Sequence, residues 1–275
     1  MTRAHVLLAL ALAACGSDLD EADPAVRSAF FGLDDALPEV VNVICPGGAG
    51  MDGMPVVFTR ELDGETIQAS DFVVTTAGGA SQVPICATPL PSGESNENRT
   101  VLLVGDFGDA IADPPVRLDI VGSLQTEPDA SGRSVDLEGT AFAPVTPLEA
   151  GPFLVFAERM EGDERELGNP PAIGVGAGCP VDGTEQVVKV VWAGGVRALS
   201  GEELGDAERV RYRVILEDGG EIVPFALADL HDQDNNHDLC LDDARRPIRV
   251  EMEADAVIDP RGDANPATSV EVRMP

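Results

Sequence analysis

The chain has 275 residues and a mass of 28.7 kDa, enough for about two domains of roughly 100–150 residues each. Its 49 acidic and 18 basic residues leave a net charge of −31, which excludes nucleic acid as a partner and electrostatic docking on anionic lipid, since both need a basic surface. Divalent cations or a basic partner suit such a field better, and an apolar fraction of 44% is sufficient to build hydrophobic cores.

At the amino end, Arg3 precedes an apolar run from Val6 to Ala14 that stops at small residues before Cys15. This is the layout of an export signal over residues 1–14, far short of the ~20 residues that span a bilayer. Leu12-Ala13-Ala14-Cys15 resembles the lipobox of bacterial lipoproteins. The resemblance implies cleavage before Cys15, a diacylglycerol on its sulfur and a further acyl group, such as palmitate, on the new amino terminus. With Gly16 behind the cysteine, it implies sorting to the cell outer membrane, facing the periplasm or the exterior. Two or more acyl chains make such an anchor stable. The expected partners are therefore the membrane, through the anchor, and a protein or other envelope component. Residues 15–37 read as an acidic tether, with four acids and little apolar content between Ser17 and Pro24. Asp23-Pro24 ahead of Ala25, Val26, Phe30 and Leu33 has the signals of a short capped helix.

Beyond the tether, a pattern occurs twice. Cys45-Pro46, Asp52-Gly53 and Val56-Val57-Phe58 have counterparts in Cys179-Pro180, Asp182-Gly183 and Val190-Val191-Trp192. Pro115-Val116-Arg117-Leu118-Asp119-Ile120 likewise matches Pro247-Ile248-Arg249-Val250-Glu251-Met252. Alternation of apolar and charged residues in the last pair predicts strands with one face in a core. Val101–Val104 and Val187–Trp192 are apolar on both faces and predict central strands, while Ala77-Gly78-Gly79 and Asp218-Gly219-Gly220 predict hairpin turns. Trp192 ends an apolar strand and belongs in a core. Gly and Pro every ~8–12 residues, with no long helical period, point to an all-β fold of two tandem sandwiches, at 38–145 and 146–275. Gln125–Gly151 reads as the join, and Phe153–Phe156 as an extended stretch belonging to either side.

Within the first copy, Met54–Asp63 followed by Thr66–Val74 resembles the bacterial Ig-like domains of the SbsA type, in which a strand ending in Phe-Ser/Thr leads into an acidic Leu-Asp turn and a Phe-bearing strand. With the repeat, this gives two tandem Ig-like β-sandwich domains related by internal duplication, and the resemblance itself implies a role in envelope architecture and spacing and no catalysis.

Besides Cys15, four cysteines remain, and four allow three pairings. Each copy holds two, so the natural pairs are Cys45–Cys86 and Cys179–Cys240. Oxygen-bearing side chains at Asp232, Asp234, Asn236 and Asp238, with Asp243 at the twelfth position, give the alternating ligand order of a Ca²⁺ loop. Two features depart from that pattern: His237 occupies the position of the turn glycine, and Asp243 that of a bidentate Glu. The plain alternative is an Asx-rich turn. His231 and His237 place a transition-metal site in the same stretch. Asp259–Pro266 contains Arg-Gly-Asp, which a proline-bounded acidic turn explains. The expected function is that of a non-enzymatic, surface-exposed lipoprotein rigidified by Ca²⁺. The alternative is a metal-dependent envelope hydrolase using Asp232, Asp234 and His237.

Overall fold

A computed structural model describes residues 25–93, 97–129, 131–168, 178–228 and 234–274. In chain order the strands are β1 (Val26–Ala29), β2 (Asp52–Phe58), β3 (Phe72–Thr76), β4 (Ser81–Gln82), β5 (Cys86–Thr88), β6 (Thr100–Gly105), β7 (Pro115–Ile120) and β8 (Ala141–Phe142). There follow β9 (Leu154–Arg159), β10 (Gln186–Trp192), β11 (Arg197–Ala198), β12 (Tyr212–Leu216), β13 (Glu221–Ile222), β14 (Ala226–Ala228), β15 (Asn236–Leu241), β16 (Pro247–Met252), β17 (Val257–Ile258) and β18 (Thr268–Glu271). The one α-helix among the described residues is the single turn Asp206–Arg209. No helix there is long and apolar enough to cross a membrane.

The strands form antiparallel sheets stacked in pairs. One pair has the orders β1-β2-β6-β5 and β4-β3-β7-β8; the other has β9-β10-β15-β14 and β13-β12-β16-β18. Replacing each strand of the first pair by its successor in the second reproduces both orders. A two-stranded ribbon, β11 with β17, is added to the second pair. Each pair encloses its own core. Met54, Val56, Phe58, Phe72, Val74, Leu103, Leu118 and Ile120 fill the first. Val188, Val190, Trp192, Tyr212, Val214, Leu239 and Val250 fill the second. In both, inward residues of facing strands interdigitate as period-2 alternation requires. Trp192 donates its indole N–H to the Tyr212 hydroxyl at 3.1 Å, and complete burial pushes the Tyr212 phenol well above its usual range.

The hairpins, the central strands β6 and β10 and both disulfides agree with the sequence. Cys45–Cys86 and Cys179–Cys240 are bonded, with Cα atoms 5.7 and 5.6 Å apart. Two expectations are corrected. Val26–Ala29 is neither tether nor helix: it is the edge strand β1, paired antiparallel with β2, and Phe30 and Phe31 behind it are buried. The helix caps lose here because the apolar residues from 26 to 31 gain a sheet edge and two cores to bury against. Gln125–Gly151 is not a join. Leu137, Val145 and Leu148 pack into the first core, and Thr146 bridges Phe30. The first sheet pair therefore runs from within the expected tether to about Gly151, beyond both ends of the expected 38–145 span. Gly151 itself has φ +66°, and a Cβ there would overlap the Ala264 carbonyl, so only glycine lets the chain turn away at that point. Phe153–Phe156, whose side the sequence left open, runs into β9 at the edge of the second pair.

Candidate functional site

The chemistry-bearing residues gather where the two sheet pairs meet. In an antiparallel sheet, directly paired residues project to the same face. Lys189 on β10 is paired with Asp238 on β15 and Glu158 on β9, so a cation and two carboxylates share the face of this sheet that looks away from the second core. The first sheet pair closes over that face. Phe30 and Val57 from it meet Val155, Phe156, Val191 and Ala193 from the second in one apolar cluster. Gly194 lies against Phe30 and Pro55, and a Cβ on it would sit 2.9 Å from the Phe30 ring.

Around this cluster runs a band of buried polar contacts. The ammonium of Lys189, the only lysine in the chain, lies 3.3 Å from Glu97 Oε1 and 3.5 Å from Asp238 Oδ1. The three side chains are 4%, 0% and 3% exposed. Glu97 belongs to the turn before β6, so this ion pair crosses from one sheet pair to the other. Beside it, Arg99 donates from Nη2 to Glu158 Oε2 at 2.6 Å and from Nη1 to the Thr59 carbonyl at 2.8 Å. Its guanidinium stacks 4.5 Å above the Phe156 ring. Glu61 Oε1 is 3.7 Å from Arg99 Nη2, and Arg273 Nε is 3.6 Å from Glu158 Oε1. Burial lowers the Arg99 guanidinium from its ordinary value, with Glu158 and Glu61 opposing that shift. Burial raises the Glu61 carboxyl, with Arg99 opposing.

At the other end of the seam, Asn235 Oδ1 accepts from the Ser92 hydroxyl at 2.7 Å. Its Nδ2 donates to Thr100 Oγ1 at 3.1 Å and to the Trp192 carbonyl at 2.7 Å. One asparagine thus spends its amide tying β6 and the turn after β5 to the end of β10. A cleft of about 140 Å³ opens beside it, walled by Phe30, Leu33, Leu37, Pro55 and Leu90 on one side and by Gly194, Asp234 and Pro260 on the other.

Comparison with known protein families and with curated proteins gives no match. The site therefore stands on its own geometry.

The sequence placed five metal ligands in one loop, and four of them, Asp234, Asn236, Asp238 and Asp243, lie among the described residues. Asn236 and Asp238 lie within β15, whose six residues are all buried. Asp234 precedes the strand and its carboxylate accepts from the backbone N–H and the side-chain amide of Asn236, both at 2.7 Å. Asp243 lies past the far end of the strand, which alone measures about 20 Å. It is held by Arg245, whose side-chain and backbone donors depress its pKa to about 2. Asp234 and Asp243 cannot share an ion. His237 projects from the opposite face of β15 to Asp238 and is buried there, so the imidazole and that carboxylate do not converge. Asp232 and His231 lie outside the described residues, as does Cys15. Asp259 of the Arg-Gly-Asp stretch is buried, accepting from the N–H groups of Arg261 and Asp263, as an Asx turn does.

A three-carboxylate cluster was missed: Asp34, Asp35 and Asp52 bring one oxygen each within 4.8 Å of one another. An oxygen-only set of this kind is what Ca²⁺ or Mg²⁺ takes, rather than zinc. Asp52 accepts the Asp35 N–H at 2.8 Å and the Phe107 N–H at 2.6 Å. Burial raises its pKa to about 6 against those two hydrogen bonds, helped by the neighbouring charges of Asp34 and Asp35. The signal available in the sequence was the Asp34-Asp35 dipeptide, but it only becomes a cluster once β1 and β2 have paired.

Proposed function

We propose that this chain is a non-enzymatic lipoprotein of the bacterial cell envelope, made of two Ig-like sandwiches that arose by duplication, locked side by side and displayed from the outer membrane on an acylated Cys15. The observation that carries this reading is the sealed seam. The shared strand order supports duplication, and the buried Lys189–Glu97–Asp238 and Arg99–Glu158 contacts hold the two copies at one angle. Breaking one partner of a buried ion pair is costly, whereas an intact pair adds little net stability, so such groups serve geometry. A hinged pair of domains would leave them in water. A fixed angle suits an element that spaces or presents a surface.

Two measurements test it. Metabolic palmitate labelling with membrane fractionation should place the intact chain in the outer membrane and the Cys15→Ser variant in the soluble fraction. An unlabelled intact chain would defeat the anchor. Small-angle scattering of residues 16–275 should give one compact profile, unchanged between low and moderate salt. A profile that broadens with conditions would defeat the rigid spacer.

A further inference from the structure

We propose that the end of the first sheet pair at which β2 begins and β6 ends is a docking surface for a basic amphipathic polypeptide segment, one that presents apolar side chains flanked by Lys or Arg. Three loops meet at this end: 33–51 ahead of β2, 77–85 around β4, and 106–114 between β6 and β7. They are tied together there. A disulfide joins Cys45 to Cys86, Asp34 Oδ2 accepts the Ala110 N–H at 3.1 Å, and Asp113 accepts the Thr76 hydroxyl at 2.8 Å. In the 3₁₀ turn Glu39–Val43, Val41 is seated inward with Leu37 and Val104, which leaves Val40 and Val43, three residues apart, together on the outer side. Ile44 and Ile85 flank the disulfide, and Val83 projects to the same side as Ile85. These five side chains are between 42% and 83% exposed; with Ile111 at 95%, they make six of the twelve large apolar side chains exposed among the described residues.

Apolar side chains exposed singly need no explanation, whereas a concentration of them marks an interaction surface. Charge says what covers this one. The three loops hold six acids and no Lys, Arg or His, and Asp35, Glu39, Asp106 and Asp109 are exposed. A second copy of this chain carries the same sign, as does the stretch Ser17–Pro24 with its four acids, and both are repelled; so is anionic lipid. A basic partner gains apolar burial and attraction together. The same end of the second sheet pair is closed instead. Ile85 donates its backbone N–H to the Val104 carbonyl and Phe225 does the same to Cys240, so the two hold equivalent places. Phe225, however, is half-buried against the cluster that contains Met160, with Leu167 packed on it as well. Arg245 stands between Asp218 and Asp243, and Val181 is the only large apolar side chain exposed among the described residues of those loops. One strand order thus accommodates a covered, charge-paired end and an apolar, acidic one, so the exposure in the first pair is not imposed by the frame. The surface needs neither the anchor nor the seam, and its failure would leave the scaffold reading standing.

The probes are a labelled amphipathic helix of leucine and lysine, the same composition in scrambled order, and a leucine–glutamate counterpart. With the full chain after signal removal, fluorescence anisotropy should rank the ordered lysine helix about tenfold or more above the scrambled one, with no binding of the glutamate peptide. The double variant Val43→Ser, Ile85→Ser changes two exposed positions; it should keep the urea midpoint and weaken binding about tenfold or more. Val181→Ser, at the equivalent end of the second pair, should leave binding unchanged. Glu39→Gln with Asp106→Asn should weaken binding about threefold or more at low salt and make no difference at 1 M. Equal binding of the ordered and scrambled peptides, binding of the glutamate peptide, no binding of the lysine helix at millimolar concentration, or binding untouched by Val43→Ser, Ile85→Ser would each overturn the proposal. So would anionic vesicle binding, or a dimer in sedimentation, that the same double variant abolishes, since either gives the surface to another occupant.

Discussion

Replacing Lys189 by Met tests the seam most directly, because methionine keeps most of the apolar stem and removes only the charge. The ammonium faces Glu97 at 3.3 Å and Asp238 at 3.5 Å; at an effective dielectric constant near 20, each contact is worth about 5 kcal/mol of Coulomb attraction. Desolvating three charges costs several kcal/mol apiece, so the intact triad is nearly neutral in net terms. Removing only the cation is not neutral. Two carboxylates then stay buried without that ammonium, and the expected loss is about 3–5 kcal/mol. Urea unfolding at pH 7 measures it, followed by far-UV circular dichroism and by the fluorescence of Trp192. That residue is the only tryptophan and lies in the second core, so its emission reports the second sandwich alone. The triple variant Lys189→Met, Glu97→Leu, Asp238→Leu should recover most of the stability. A loss under about 1 kcal/mol at pH 7, or a triple variant no better than the single one, would refute a sealed ionic seam.

Three further outcomes follow from single contacts. Asp52 has a folded pKa of about 6 against an ordinary 3.8; its contribution is full below pH 3.8 and is lost as pH rises through 6. Relative to Asp52→Asn, the wild-type chain should therefore lose about 2–3 kcal/mol between pH 4 and pH 7 in parallel urea titrations, and equal slopes would exclude this. Gly194→Val drives a Cβ to 2.9 Å from Phe30 and 3.2 Å from Pro55, and should lower stability by about 1–3 kcal/mol in thermal melts. Cys179→Ala opens a covalent loop spanning 61 residues; chain entropy assigns that closure about 4 kcal/mol, readable as a shift of the Trp192 transition.

What was legible in the sequence was local. Alternation at Leu118 and Ile120, the doubly apolar run 187–192 and the Gly-Gly turns identify strands and hairpins because each depends on neighbours only a few residues away. The cysteine pairs were legible because each half of the chain holds two of the four cysteines besides Cys15. What failed depended on distant partners. Val26–Ala29 is too short to declare itself a strand, and becomes one by pairing with β2 some thirty residues on. The alternating oxygens at Asp234, Asn236 and Asp238 fit a calcium loop and a strand equally well. The strand prevails because Asp238 has Lys189 opposite it and Leu239 and Leu241 have a core to enter. Lys189, within a run read only as a central strand, gave no sign of the seam, because its partner Glu97 lies 92 residues away.

The burial of that one lysine also fixes how the protein meets reagents. Lys189 is the only lysine in the sequence and is 4% exposed, so lysine-specific proteases and labels aimed at an ε-amine find nothing to attack while the halves stay together. Modification of Lys189 is then a clock for their parting, readable by mass spectrometry one residue at a time.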